Sequence, residues 1–347
     1  MKETTLVTGA TGIVGAHLVR ALLDDGHPVR VLVRPGSDRR NLSGLAVEVC
    51  EGNVLDAGSV QAAATGCDWV FHAAAVFSYA GMDAEALIDL AVRGTRHVLQ
   101  AARRAGARRA VVTSSSVTLG STATPHVLDE DAVFAERQPS AYTLSKVRQE
   151  ETAFGTGAAL GLEVVAVCPT LVIGALDQRL GPSNANIVNY LNDPFRSTFL
   201  GGCNVVSARD VAQAHLLAAR HGLAGQRYVA GAENLRWEAF HEMVSELAGT
   251  FGPSMMLNHT AAYLAAAAVE AAARLAGKQP MVTRDEARMA CRYYWYSHAR
   301  LAAIGYVPRP ARQALAEAMA WVIGRGHVSD TVIARLKLAP EVEAVRT

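Results

Sequence analysis

The sequence predicts an α/β fold, a doubly wound parallel sheet with a smaller, mostly helical lid. Three observations lead there. The first two-thirds alternates short, near-continuously apolar runs with helical patterns, as parallel strands covered on both faces do. Gly26, Gly106 and Gly161 each stand just past a helical stretch, where a left-handed residue stops a helix. A glycine-rich turn links the first strand to the first helix.

Strands are expected at 4–8, 29–33, 46–50, 69–73, 109–114 and 163–168, with helices at 13–25, 84–105 and 140–160. Beyond Pro169 the pattern loosens, and 174–205 is rich in Gly, Pro and Asn. "RDVAQAHLLAARHG" then makes one more helix and "RYVAG" a last strand. Further helices are expected at 236–249, 261–276, 283–291 and 310–324. The division that follows is a sheet domain (1–173 and 206–231), a lid (174–205 and 232–325) and a tail (326–347).

The chain has 347 residues, half of them apolar, and a net charge of +1. Without Lys/Arg blocks there is no electrostatic footprint for nucleic acid or an anionic membrane. Cys50, Cys67, Cys168, Cys203 and Cys291 are scattered, with no CxxC pair. A disulfide framework or metal site is therefore not expected, and a reducing cytoplasm fits. The first strand begins at Thr4, which leaves no room for a signal peptide. In "AAYLAAAAVEAAARLA" the uninterrupted apolar run is Ala261 to Val269, far below the ~20 residues that span a bilayer. It reads as a surface helix packed by its Ala/Leu face, with a peripheral membrane anchor as the alternative.

In "LVTGATGIVG", Gly9, Gly12 and Gly15 lie between strand and helix. Tight turning, close approach to a pyrophosphate and close helix–strand packing each exclude a Cβ. The free N–H groups of the following helix would face the phosphates. Where a ribose-binding acid would end the second strand the chain has Arg34, followed by Ser37, Arg39 and Arg40. A guanidinium suits a 2′-phosphate, so NADP is expected ahead of NAD.

"VVTSSSVTLG" runs a strand into Ser114, Ser115 and Ser116, and "SAYTLSK" puts Tyr142 and Lys146 one helical turn apart. Carbonyl reduction needs hydride at carbon and a proton for the developing alkoxide. Tyr142 is the candidate proton donor, with its pKa lowered by Lys146 and an oxidised nicotinamide ring. A serine would hold the substrate oxygen, and Lys146 the nicotinamide ribose. Phe77, Tyr79, Ser116, Thr170, Leu171, Tyr190 and Phe199 are candidate substrate walls. His72 and His215 read as packed, hydrogen-bonded residues.

"TGATGIVG", "FHAAA", "TSSSVTLG" and "YTLSK" together resemble the extended short-chain dehydrogenase/reductases, which share the Rossmann fold. "VRVLVRPGSDRRNL" and "CPTLVIG" are similar to the dihydroflavonol 4-reductase-like branch, which includes proteins named hopanoid-associated sugar epimerases. The resemblance covers about residues 4–325. It implies Ser115, Tyr142 and Lys146 as the catalytic set. It implies cofactor contacts from Gly9, Thr11, Gly12, Ile13, Arg34, Asn53, Val54, Ala73, Ala74, Ala75, Tyr142, Lys146, Pro169, Leu171 and Val172. It also implies a homodimer. Ala91 replaces an asparagine of many relatives, which suggests a simpler proton relay. Asn53 replaces an aspartate, which suggests weaker contact to adenine.

An NADPH-dependent reductase of a ketone or aldehyde on a small, fairly apolar molecule is the function expected. A nucleotide-sugar epimerase or dehydratase is the enzymatic alternative, although "CPTLVIGALDQ" lacks that group's usual Arg, Tyr and second proline. A non-enzymatic NADP sensor is the third reading, and the Ser–Tyr–Lys set argues against it.

Overall fold

The computed structural model describes residues 2–74, 84–277, 284, 287 and 291–346. Seven parallel strands form its main sheet: β1 (Thr5–Thr8), β2 (Val29–Val33), β3 (Val47–Glu51), β4 (Trp69–His72), β5 (Arg109–Thr113), β7 (Glu163–Pro169) and β11 (Arg227–Ala230). Their spatial order is β3-β2-β1-β4-β5-β7-β11. The chain winds outward from β1 through β3 and restarts at β4 on the other side. That reversal opens a crevice beyond the carboxyl ends of β1 and β4.

The apolar runs are continuous because both sheet faces are covered. On one face Leu18 and Leu22 of α1 (Ile13–Asp24) and Val211 and Leu216 of α6 (Ala208–His221) pack on Val7, Val31 and Val165. On the other, Val60 of α2 (Ala57–Ala64), Val98 of α3 (Ala84–Arg104) and Ala153 of α4 (Ala141–Leu160) meet Leu6, Val70 and Val112. Successive strand residues point to opposite faces, so Leu6 and Val7 serve different cores. Gly161 ends α4 in the left-handed conformation at φ 63°.

The segment 174–205, assigned to the lid where the sequence pattern loosens, contains α5 (Pro182–Asn192) and β9 (Ser197–Phe199) and runs into β10 (Gly202–Ser207). Strand β10 centres a second sheet. It pairs in parallel with β8 (Leu171–Ile173) and β14 (Tyr293–Tyr296), and antiparallel with β12 (Glu233–Arg236). The outer strand β6 (Val127–Leu128) pairs with β14. These strands are too short to register as apolar runs. The helix α7 (Trp237–Ala248) covers a second core with α5 and the helix Ala311–Gly324. Val328 and Val342, from the expected tail, are buried in that core.

One expectation is corrected. Helix α8 (His259–Leu275) does not pack by its Ala/Leu face, because Leu264 is 61 % and Leu275 90 % exposed. Its buried contacts come from Ala262 and Ala266, against Ala287, Phe199 and Leu257. Most of the expected helix 283–291 lies outside the described residues. No helix among the described residues is long and apolar enough to cross a membrane, and all five cysteines are free.

Candidate active site

The glycine turn lies at the mouth of the crevice. Gly9 has φ +75°, and a Cβ there would come within 2.6 Å of the Ala73 carbonyl and 2.5 Å of the Ala74 nitrogen. A Cβ on Gly15 would lie 2.2 Å from the Gly9 oxygen, so α1 can sit on β1 only without one. Gly12 is the α1 N-cap and offers no side-chain cap, which leaves the first-turn N–H groups available to an anion. Asn41, buried and not anticipated, braces the turn. Its Nδ2 donates to the Thr11 carbonyl at 3.0 Å and the Leu176 carbonyl at 2.8 Å. This cradle, with no room for a side chain at Gly9 or Gly15, fits a dinucleotide pyrophosphate.

Around it lie further expected contacts. Ile13 opens α1, and the Ala73 and Ala74 backbones hang on Thr8. Asn53 Oδ1 accepts from the Leu55 N–H at 3.1 Å, so one acceptor position of its amide closes its own turn. The Val54 carbonyl meets His97 Nδ1 at 3.1 Å. Arg34 is exposed and makes no ion pair or side-chain hydrogen bond among the described residues. Arg39 pairs with Glu51 and Arg40 with Asp38. Pro169 ends β7 at the crevice.

Ser140 caps α4 by accepting from the Thr143 N–H at 3.1 Å, which places Tyr142 in the first turn and Lys146 one turn on. Each of the three serines has a different partner. Ser114 donates to Glu150, and Ser116 bonds the buried Tyr296. Ser115 bonds Tyr142. Lys146 is buried, and its Nζ donates to the Thr113 carbonyl at 3.1 Å and to Gln149 Oε1 at 2.9 Å.

Burial pushes the Tyr142 phenol above its ordinary value, against the lowering effect of the Ser115 bond. The lowered phenol expected from the sequence is therefore not what the protein alone produces. Desolvation outweighs the Ser115 bond, and the neighbouring lysine's ammonium is turned to Thr113 and Gln149. Burial also takes Lys146 down to about 8, with Cys168 and Glu150 opposing the shift. His72 falls to about 3 through burial and stays neutral, bridging Thr8 at 2.8 Å and Thr95 at 3.1 Å. His215, lowered to about 4 by burial, is bonded to Thr113 and Val211.

Several wall candidates have partners inside the protein, and one of them is core. Tyr190 is 3 % exposed, bonds Ser245 at 2.7 Å and stacks on His241. It is a core residue of the second layer and is corrected as such. Phe199 packs at the edge of the same core. Ser116 is committed to Tyr296, and Thr170 Oγ1 donates to Asn204 at 2.9 Å, tying β7 to β10. Leu171 packs toward the second core and Val172 toward the sheet core. Ala75, Phe77 and Tyr79 lie outside the described residues. Glu150 and Gln149 were missed as site residues. Their one signal was position, since they follow Lys146 at helical spacing and share its face of α4.

Crevice, glycine cradle and Ser–Tyr–Lys cluster together define a nicotinamide-dinucleotide-dependent α/β enzyme. The chain belongs to the NAD dependent epimerase/dehydratase family, whose profile matches residues 5–231, within the extended short-chain dehydrogenase/reductases. It is 33% identical over 334 residues to a Synechocystis sp. protein provisionally named a dihydroflavonol 4-reductase, covering 94% of this chain and 97% of that one. It is 32% identical over 342 residues to cinnamoyl-CoA reductase 1 of Oryza sativa subsp. japonica, covering 94% and 92%. The crystal structure of gox2253 superposes with a TM-score of 0.83 at 33% identity, covering 94% of this chain and all of that one. These reductase-named relatives support an oxidoreductase activity on a small molecule.

Proposed function

We propose that the protein is an NADPH-dependent reductase of a ketone or aldehyde on a small, fairly apolar substrate, working in the cytoplasm. The observation that carries this reading is the Ser115–Tyr142 hydrogen bond at the carboxyl end of β5, beside the glycine cradle. When bound, the dinucleotide supplies the hydride. Tyr142 gives its proton to the oxygen of the carbonyl being reduced, and Ser115 Oγ holds that oxygen. A phenol raised by burial keeps its proton at neutral pH, which is the state that reduction needs. Lys146 contributes positive charge behind the phenol and a donor for the nicotinamide ribose. Arg34, uncommitted at the end of β2, favours NADPH over NADH.

The family's own description favours a second reading, a sugar-nucleotide epimerase or dehydratase using the same residues. One experiment separates the two: following NADPH oxidation across a panel of aromatic and alicyclic ketones and aldehydes. A reductase consumes NADPH stoichiometrically with carbonyl, whereas an epimerase shows no net turnover. Tyr142→Phe should lower kcat/KM by roughly 100-fold or more, as loss of a general acid does, while still binding NADPH. Undiminished turnover in that variant would remove the proposed role. The reading also includes a dimer and the division into sheet domain and lid, for which sedimentation and limited proteolysis are the checks.

A further inference from the structure

Lys146 carries a buried charge without an ion pair. Among the described residues its Nζ has two partners, the Thr113 carbonyl at 3.1 Å and Gln149 Oε1 at 2.9 Å. The neighbouring carboxylate, Glu150, is spent elsewhere. One of its oxygens takes Ser114 and Thr118, and the other meets Arg227 at 3.1 Å. A buried cation ordinarily sits against an anion. Here the side chain that meets it is a neutral amide, and Gln149 is itself only 2 % exposed. A glutamine so deeply buried needs a polar partner, and the lysine three residues back on the same face of α4 supplies one.

We propose that Gln149 is a positioning residue of the active site, whose amide oxygen fixes where the Lys146 ammonium stands and which of its protons remains for the cofactor. This rests on the role given to Lys146 above. An ammonium has three donors and no acceptor, so the amide must present its oxygen. Thr113 and Gln149 take two of the three N–H groups, and two tetrahedral directions fix the third. That third N–H is left for the nicotinamide ribose. Chemical type matters as much as place. A carboxylate at 149 would pair with the ammonium, hold it charged and compete with the dinucleotide for it. An apolar side chain would leave the buried charge short of a partner, and the lysine would shed its proton at lower pH. The amide does neither: it holds the ammonium in place and leaves it able to titrate. The ionisable groups around the ammonium are Cys168 of β7, Glu150 of α4 itself and His72 of β4, with the Tyr142 phenol one turn back. Burial keeps Cys168 a thiol and His72 neutral, so Glu150 is the one charge among them.

The test reads Lys146 directly. The chain has four lysines, Lys2, Lys146, Lys278 and Lys337, so carbon-13 lysine labelling gives few side-chain signals, and that of Lys146 is identified by its loss in Lys146→Met. In the full chain without cofactor, its titration midpoint should fall by about one pH unit in Gln149→Met and rise by about one in Gln149→Glu. The dissociation constant for NADPH, from a fluorescence titration near neutral pH, should rise roughly ten-fold in Gln149→Met. The alkaline limb of kcat/KM should move with the lysine in both variants. A glutamine that only fills space would lower the melting temperature and leave all three readings where they were, which overturns the proposal. Midpoints that move the same way in both variants overturn it too. If Gln149→Met fails to fold, the near-isosteric Gln149→Glu carries the comparison by itself. A lysine that follows residue 149 in a chain binding neither NADPH nor NADH would overturn the cofactor role, and the reductase reading with it. An unmoved lysine in a variant that binds and oxidises NADPH like the native chain sinks this proposal alone.

Discussion

Three adjacent serines differ only in where their hydroxyls go. Ser114 is spent on Glu150 and Ser116 on Tyr296, which leaves Ser115 for Tyr142. The run of serines before a glycine was legible in the sequence, but the partition was not, because Glu150 and Tyr296 arrive from other elements. Glu150 also accepts from Thr118 at 3.2 Å and pairs with Arg227 at 3.1 Å, so it braces the loop under Ser115 while supporting the charge on Lys146. A lysine lowered to about 8 loses its charge above that pH, so kcat/KM for carbonyl reduction should fall on the alkaline side with a pKa near it. Removing the negative neighbour lowers the lysine further, and Glu150→Gln should move that limb to lower pH. An unmoved limb would show that Glu150 only packs. The same shift sets a stability term. Between about 8 and the ordinary lysine value of about 10.4 the unfolded chain binds more protons, so stability contributed by this group rises with pH through that window. Arg34→Glu should raise KM for NADPH roughly 10- to 100-fold and leave that for NADH nearly unchanged, as expected for loss of one or two charge-assisted bonds.

At the scale of elements, β1, the glycine turn and α1 act as one unit. The glycines were readable because each excludes a Cβ for a geometric reason, and the structure supplies the obstacles. Gly15→Ala would drive a methyl into the Gly9 carbonyl and to 2.9 Å from the Ala10 Cα, so α1 must lift from β1. Such overpacking costs about 1–3 kcal/mol, and the displaced turn should also weaken NADPH binding. A denaturant midpoint and a fluorescence titration measure the two effects. Helix α4 was placed to within a residue, since Ser140 and Gly161 are local end signals. Helix α5 was missed because Gly181, Pro182 and four asparagines look like loop. Pro182 instead sits in its first turn, where the lost N–H is harmless.

The molecule as a whole has two cores, one around the seven-stranded sheet and one beneath the second sheet, where Val205 of β10 lies. The C-terminal segment belongs to the second. The Lys337 and Ala339 N–H groups donate to the Ala248 and Leu247 carbonyls, and Val342 is fully buried. Val342→Asp would place an unpaired carboxylate there, at a cost of several kcal/mol. Thermal unfolding should then begin at a clearly lower temperature with early exposure of apolar surface, read by dye binding. An unchanged melt would show that the segment adds nothing to the core.

The sequence by itself determined the order and ends of the main strands and helices, the glycine cradle, the arginine at the end of β2 and the Tyr142–Lys146 spacing. All of these are written in near neighbours, through side-chain period, cap residues and steric exclusion. Tertiary structure alone decided which serine meets the tyrosine, that desolvation raises the phenol and lowers the lysine, that Tyr190 is core, and which face of α8 looks outward. Those outcomes depend on groups far apart in the chain, and on how much water their packing leaves.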